Sequence, residues 1–144
     1  MRRRFVCSVS AATYLFICSC ALAEQYLCVP DKATGFAYDI NSKDWGYTRF
    51  KTDKKYLIAP SKEKEYVYAF TEVGDKSPIA YCEKDFNSGG YLVCNQLEID
   101  VKFNKVDMRF QMISSGGYVG GGLGGLSEAK AGGLWVQIGK CSPF

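Results

Sequence analysis

The chain has 144 residues, 23% of them charged, with 18 Lys+Arg against 15 Asp+Glu, and no histidine. The missing imidazole removes Ser-His-Asp and Cys-His catalysis, histidine-based metal sites and imidazole acid–base steps. An enzyme built on this chain would have to work with carboxylates, lysines, tyrosines or serines alone.

Residues 1–23 have the pattern of a cleaved secretory signal. Arg2, Arg3 and Arg4 supply the positive start, Phe5 to Leu22 the apolar stretch, and Ala21-Leu22-Ala23 the small-x-small site that a signal peptidase accepts. That stretch is broken by Ser, Thr and Cys, and no second apolar run follows, so the mature chain is not expected to span a membrane. Ile17-Cys18-Ser19-Cys20 offers a rival processing site, at which a lipidated Cys20 would tether the domain to a membrane surface. Cleavage after Ala23 leaves residues 24–144 as one domain, periplasmic or secreted. It also removes three arginines, which leaves basic and acidic residues equal in number. The net charge of +3 therefore belongs to the signal and predicts no nucleic-acid interface.

Cys7, Cys18 and Cys20 leave with the signal. Cys28, Cys82, Cys94 and Cys141 remain, an even set for an oxidising compartment. Three connectivities are open to four cysteines. The favoured pairs are Cys82–Cys94, which closes a short hairpin with its tip at Asn87-Ser88-Gly89-Gly90, and Cys28–Cys141, which ties the first strand to the last. The shorter loop alone contributes roughly 3 kcal/mol in the chain-entropy model. A zinc site is the competing reading, but the chain has neither a C-x-x-C pair nor a histidine.

The mature chain has a period of two rather than 3.6. Strands are predicted at Gln25–Val29, Phe36–Asp39, Tyr47–Lys51, Tyr56–Ala59, Tyr66–Thr71, Ile79–Glu83 and Tyr91–Asn95. Turns are predicted at Thr34-Gly35, Asp44 to Gly46, Asp53 to Lys55, Pro60-Ser61, Gly74-Asp75 and Gly89-Gly90. Tyr66, Tyr68 and Phe70 alternate with Val67, Ala69 and Thr71, so that strand suits burial on both faces. Glu98-Ile99-Asp100-Val101-Lys102-Phe103 alternates charged with apolar, as on a half-buried strand, and Met108 to Met112 repeats the pattern after a turn at Asn104-Lys105 and Asp107. Leu134, Val136 and Ile138 alternate with Trp135 and Gln137 in the last strand. Eight to ten short strands with hairpin-sized gaps predict an all-β antiparallel meander, a small barrel or a sandwich, with two disulfides. The one helical candidate is a turn around Ser127–Lys130. Residues 116–125 hold seven glycines in ten and are predicted to form a long mobile loop.

Motifs with chemical meaning are few. Gly120-x-Gly122-x-x-Gly125 has the spacing of a dinucleotide fingerprint but lacks the strand, helix and βαβ unit that make one. Ser61-Lys62-Glu63-Lys64 has S-x-x-K spacing but follows Pro60 in a charged turn instead of opening a helix. Glu63/Glu65, Glu83/Asp85 and Glu98/Asp100 place paired carboxylates on one strand face, suited either to acid–base work on a glycoside or to solvent. Trp45, beside Gly46-Tyr47, and Tyr118, among the glycines, are candidate contact residues.

Taken together, Tyr26-Leu27-Cys28, Thr34 to Asp39, Trp45, Arg49-Phe50, Phe103-Asn104-Lys105, Arg109-Phe110, Gly117-Tyr118 and the ending Ile138 to Pro143 resemble a group of small exported proteins of alphaproteobacteria, many of them rhizobial. That resemblance spans most of the mature chain and implies export without implying an activity. Ser115-Gly116-Gly117-Tyr118-Val119-Gly120 and Gly139-Lys140 are similar to the signature of the periplasmic and membrane-bound inhibitors of C-type lysozyme. Those are small disulfide-bonded β-barrels that insert a loop into the lysozyme cleft. Here the Gly-to-Tyr spacing is one residue short and the lysine-glycine pair is reversed. The similarity implies Ser115, Tyr118 and Lys140 as contact residues. The reading that results is a non-enzymatic binding or envelope-associated protein without a cofactor, whose partner is a protein or envelope component. Its alternatives are lysozyme inhibition by loop insertion and a carboxylate-based glycan hydrolase.

Overall fold

The computed structural model describes residues 24–119 and 133–144. The expected signal, the glycines from Gly120 to Gly125 and the helical candidate at Ser127–Lys130 lie outside the described residues. Within them the chain forms nine strands: β1 (Tyr26–Asp39), β2 (Asp44–Arg49), β3 (Tyr56–Pro60), β4 (Tyr68–Glu72), β5 (Ala80–Cys82), β6 (Tyr91–Gln96), β7 (Ile99–Asn104), β8 (Arg109–Ser114) and β9 (Leu134–Pro143). A single helical turn, α1 (Gly116–Val119), follows β8.

All pairings are antiparallel, and neighbours in space are mostly neighbours in sequence, β3 through β9. β1 closes the sheet by pairing with β3 on one side and β9 on the other, giving an eight-stranded barrel. The ninth strand, β2, is hydrogen-bonded to β1 alone. Closure removes the open edges of the other strands, and β2 keeps one. No helix among the described residues is long and apolar enough to cross a membrane.

Three boundaries differ from expectation. The two strands predicted at Gln25–Val29 and Phe36–Asp39 are one strand, with a bulge between Pro30 and Lys32 where proline cannot donate to the ladder. Thr34-Gly35 is therefore not a turn. Gly35 sits opposite Trp135 in mid-strand, where a Cβ would overlap the backbone of Leu134 and Trp135, so the glycine marks a close approach of β9. The turn expected at Asp44 to Gly46 falls at residues 40–43 instead, with Lys43 in the left-handed region at φ 53°. The glycine segment is not all loop either, since its first four residues form α1.

Alternation places Tyr26, Cys28, Tyr56, Ile58, Tyr68, Phe70, Leu92, Val101, Phe103, Phe110 and Met112 inside. A barrel of this strand number is just wide enough to be filled by side chains. β4 is buried at Tyr68, Ala69 and Phe70 alike, as its uniform apolar pattern predicted. In β9 the inward set is Trp135, Gln137, Gly139 and Cys141, while Val136 and Ile138 face out at 36% and 48% exposure. The outward placement follows from Cys141, which must point inward to reach Cys28.

Both predicted disulfides form, Cys28–Cys141 and Cys82–Cys94. Cys28 and Cys141 are directly opposed in the β1–β9 ladder, so this bond seals the closure of the barrel. β5 and β6 share one backbone register pair, Tyr81 with Asn95, and Cys82–Cys94 supplies the next rung of that short seam.

Candidate ligand site at the open end of the barrel

The barrel has two dissimilar ends. One holds the start of β1, the β5–β6 loop, the β7–β8 turn and the end of β9. Phe86, in the β5–β6 loop, lies across this end with its ring 6.0 Å from Tyr26, 5.5 Å from Tyr68 and 5.9 Å from Phe103, centroid to centroid. Lys105 Nζ stands 4.6 Å above the Phe86 ring and 3.2 Å from Glu24 Oε2. The Tyr26 hydroxyl donates to the same carboxylate at 2.5 Å, and that hydrogen bond, with Lys105 beside it, holds the Glu24 carboxyl below its usual range. The loop is shaped by Asn87, whose side-chain oxygen accepts from the backbone N–H groups of Gly89 and Tyr91. Both disulfides lie in this half of the barrel. It is plugged.

The other end holds the start of β3, the end of β4, the starts of β7 and β9 and the end of β8. Here, among the described residues, a cleft of about 650 Å³ opens, lined by Phe50, Tyr56, Ile79, Ile99, Met112 and Trp135, with Asp53, Lys54, Glu72 and Gln137 among its polar groups. The volume lies within the range of small-molecule sites, about 300–1,000 Å³. Phe50 and Trp135 tilt toward each other at 6.4 Å. Gln137 is the one buried polar side chain among the described residues, 4% exposed, and its Oε1 accepts from the Tyr56 hydroxyl at 3.0 Å. Burial pushes the Tyr56 phenol up to about 12. At the rim Lys54 Nζ meets Glu72 Oε2 at 2.7 Å, which raises the Lys54 ammonium above its ordinary value. Apolar walls, one buried amide and a charged rim suit an uncharged or amphiphilic guest.

The candidate contact residues divide between the two ends. Trp45, on β2, meets Tyr118 of α1 edge-on at 5.3 Å and Tyr38 of β1 at 5.8 Å, so two residues far apart in sequence join one aromatic cluster. Ser115 begins the same segment, its N–H donating to the Glu98 carbonyl at 2.9 Å. These residues belong to the open end. Lys140 stands opposite Val29 and Arg109, toward the plugged end and on the outer wall. It borders a depression of about 500 Å³ shared with Lys102, Arg109, Gln111 and Ile138, which is a shallow, charged wall instead of a mouth.

The carboxylate pairs are scattered. Glu63, Glu65, Glu83 and Asp85 are exposed in loops, Asp100 is exposed on β7, and Glu98 is half-buried beneath α1, where a Cβ on Gly116 would overlap it. In the S-x-x-K segment, Ser61 Oγ accepts from the Glu63 backbone, the hydrogen bond of a turn.

Sequence reasoning missed the cleft residues Phe50, Tyr56, Trp135 and Gln137. A signal for two of them was present. Trp135 and Gln137 share the period-two phase of Cys141, and a disulfide fixes that phase as inward. Set against family models, curated proteins and solved structures, the chain finds no match.

Proposed function

We propose that the chain is an exported, non-enzymatic binding protein that holds the apolar part of a small envelope amphiphile in the open end of its barrel. The observation that carries this reading is the asymmetry of the ends. A barrel whose only task was structural would gain from plugging both. Here Phe86 seals one end, and among the described residues the other keeps an aromatic cleft with a single buried amide at its wall. Two disulfides fit an oxidising compartment, in keeping with export. The three acidic pairs the sequence offers lie in loops or on the outer wall, and of the carboxylates lining the cleft, Asp53 and Glu72, the second is held by Lys54, which gives a carboxylate hydrolase less support.

The test uses the two tryptophans. Trp45→Phe leaves Trp135 as the sole indole reporter. Titration with 1-anilinonaphthalene-8-sulfonate should change its emission and saturate at one probe per chain. Trp135→Ala should weaken binding by about tenfold, the loss of one buried aromatic contact, while Phe86→Ala should leave probe affinity unchanged. Native mass spectrometry of protein recovered from the periplasm should show a co-purified small molecule. Non-saturating probe binding, or equal loss in both variants, would count against the site.

A second reading, inhibition of a C-type lysozyme by loop insertion, draws on Tyr118, which is 61% exposed beside Trp45 at the open rim. The position of Lys140 detracts from it. It predicts lysozyme inhibition that weakens in Tyr118→Ala, and inactivity at micromolar protein refutes it.

A further inference from the structure

Among the described residues β2 ends the sheet, and the edge it leaves unpaired there has a pattern that fits a second copy of itself. The β1–β2 register opposes Thr34 to Arg49, Phe36 to Tyr47 and Tyr38 to Trp45, with Phe50 N–H donating to the Ala33 carbonyl at 3.1 Å just beyond it. Hydrogen-bonded pairs alternate in an antiparallel ladder. Ala33–Phe50 is such a pair, so Gly35–Thr48 and Ala37–Gly46 are the next ones. The backbone N–H and C=O of Trp45, Tyr47 and Arg49 therefore point away from β1, to the free edge. The Trp45 N–H accordingly takes a local partner, Asp44 Oδ1 at 2.8 Å.

We infer that this edge pairs with the β2 edge of a second copy of the chain, antiparallel about a two-fold axis through Tyr47. An axis perpendicular to the sheet requires opposed residues to point to the same face, so only registers of even sum are allowed. The register centred on Tyr47 opposes Trp45 to Arg49 of the second copy, Tyr47 to its counterpart and Arg49 to Trp45. All three are the outward-pointing hydrogen-bonding residues, and the register uses them all, for about six interchain hydrogen bonds. A register centred on Gly46 uses fewer.

The side chains agree with this register. Guanidinium over indole at both ends is a favourable cross-strand pair, and Tyr47 against Tyr47 is an aromatic one. Tyr47 and Phe36 are exposed on this face, at 67% and 46%. Between its charged ends, Asp44 and Arg49, the strand has no proline, no lysine and no bulge to turn a pairing partner away. Lys43 and Lys51 flank it and would oppose each other, so pairing should strengthen with salt. A six-residue edge buries less than the ~1,200 Å² of a stable interface, so the pairing is of the weak, concentration-dependent kind.

Sedimentation velocity on the mature domain, from micromolar to millimolar protein at moderate salt, should show a monomer–dimer equilibrium. Tyr47→Pro removes an N–H that faces away from β1, leaves the β1 ladder intact and should raise the dissociation constant at least tenfold. The register has its own test. Under mild oxidation Tyr47→Cys should give a covalent dimer, and Thr48→Cys, whose backbone faces β1, should not. A monomer at every concentration, a dimer indifferent to Tyr47→Pro, or equal crosslinking at Tyr47 and Thr48 would each overturn the inference.

Discussion

The plugged and open ends of the barrel are made by the same strands and handle their polar and apolar groups in opposite ways. At the plugged end an aromatic ring covers the core, a lysine covers the ring, and both disulfides lie nearby. At the open end Phe50 and Trp135 line a space they do not fill, and a buried glutamine and tyrosine satisfy each other instead of being replaced by apolar residues. Packing at the first end serves stability, and at the second the described residues leave a space that the proposed guest would occupy. A substitution should accordingly act on stability at one end and on binding at the other.

The largest effect should come from the plugged end. Replacing Cys28 and Cys141 by serine opens a loop of 113 residues and should cost about 5 kcal/mol in urea unfolding. Replacing Cys82 and Cys94, separated by 12, should cost about 3 kcal/mol. A reversed order would mean that the β5–β6 seam matters more than barrel closure. Next is Phe86→Ala, which should cost about 3 kcal/mol. Trp135→Ala, facing a cleft already open, should cost about half as much and show its main effect in probe affinity. Equal stability losses would erase the distinction between the ends.

Alkaline titration gives a third comparison. Tyr56 titrates near 12 in the folded chain against 10.0 unfolded, so its contribution is fully present below pH 10 and is lost as the pH rises toward 12. The loss is about 2 kcal/mol. Tyr26 and Tyr68, also raised by burial, act in the same direction. In Tyr56→Phe the fall in stability between pH 10 and 12 should be shallower than in the parent. An identical slope would place the effect on the other two tyrosines. The smallest effect is expected at Gly46, where an added Cβ meets nothing within 4 Å, so Gly46→Ala should stay within about 0.5 kcal/mol. Gly35→Ala, against the β9 backbone, should cost clearly more.

Much of the frame was legible from local rules. Alternation in Glu98 to Phe103 and in Arg109 to Met112 gave β7 and β8 with their inward faces correct. The hairpin around Asn87 to Gly90 and the even cysteine set together gave both disulfides. The departures lie on β1, at the turn before β2 and at α1. Pro30, Thr34 and Gly35 carry turn chemistry, yet a bulge and a close strand contact absorb them without a turn. In β9 the alternation left the inward face undecided, and Cys141 turns Val136 and Ile138 outward. The cleft was illegible because Phe50, Ile79, Ile99 and Trp135 lie on four separate segments, each with an ordinary local pattern.

By itself, then, the sequence determined an antiparallel all-β domain with two disulfides and without imidazole chemistry, since period-two alternation, the places of Cys28, Cys82, Cys94 and Cys141 among the strands, and the absence of histidine are properties of the chain alone. The tertiary structure decided that the sheet closes as a barrel, that Phe86 plugs one end while the described residues leave a cleft at the other, and that Trp45 meets Tyr118. Each of these depends on which strand lies beside which. That order follows from the total fit of side chains in a closed space, which no single window of sequence contains.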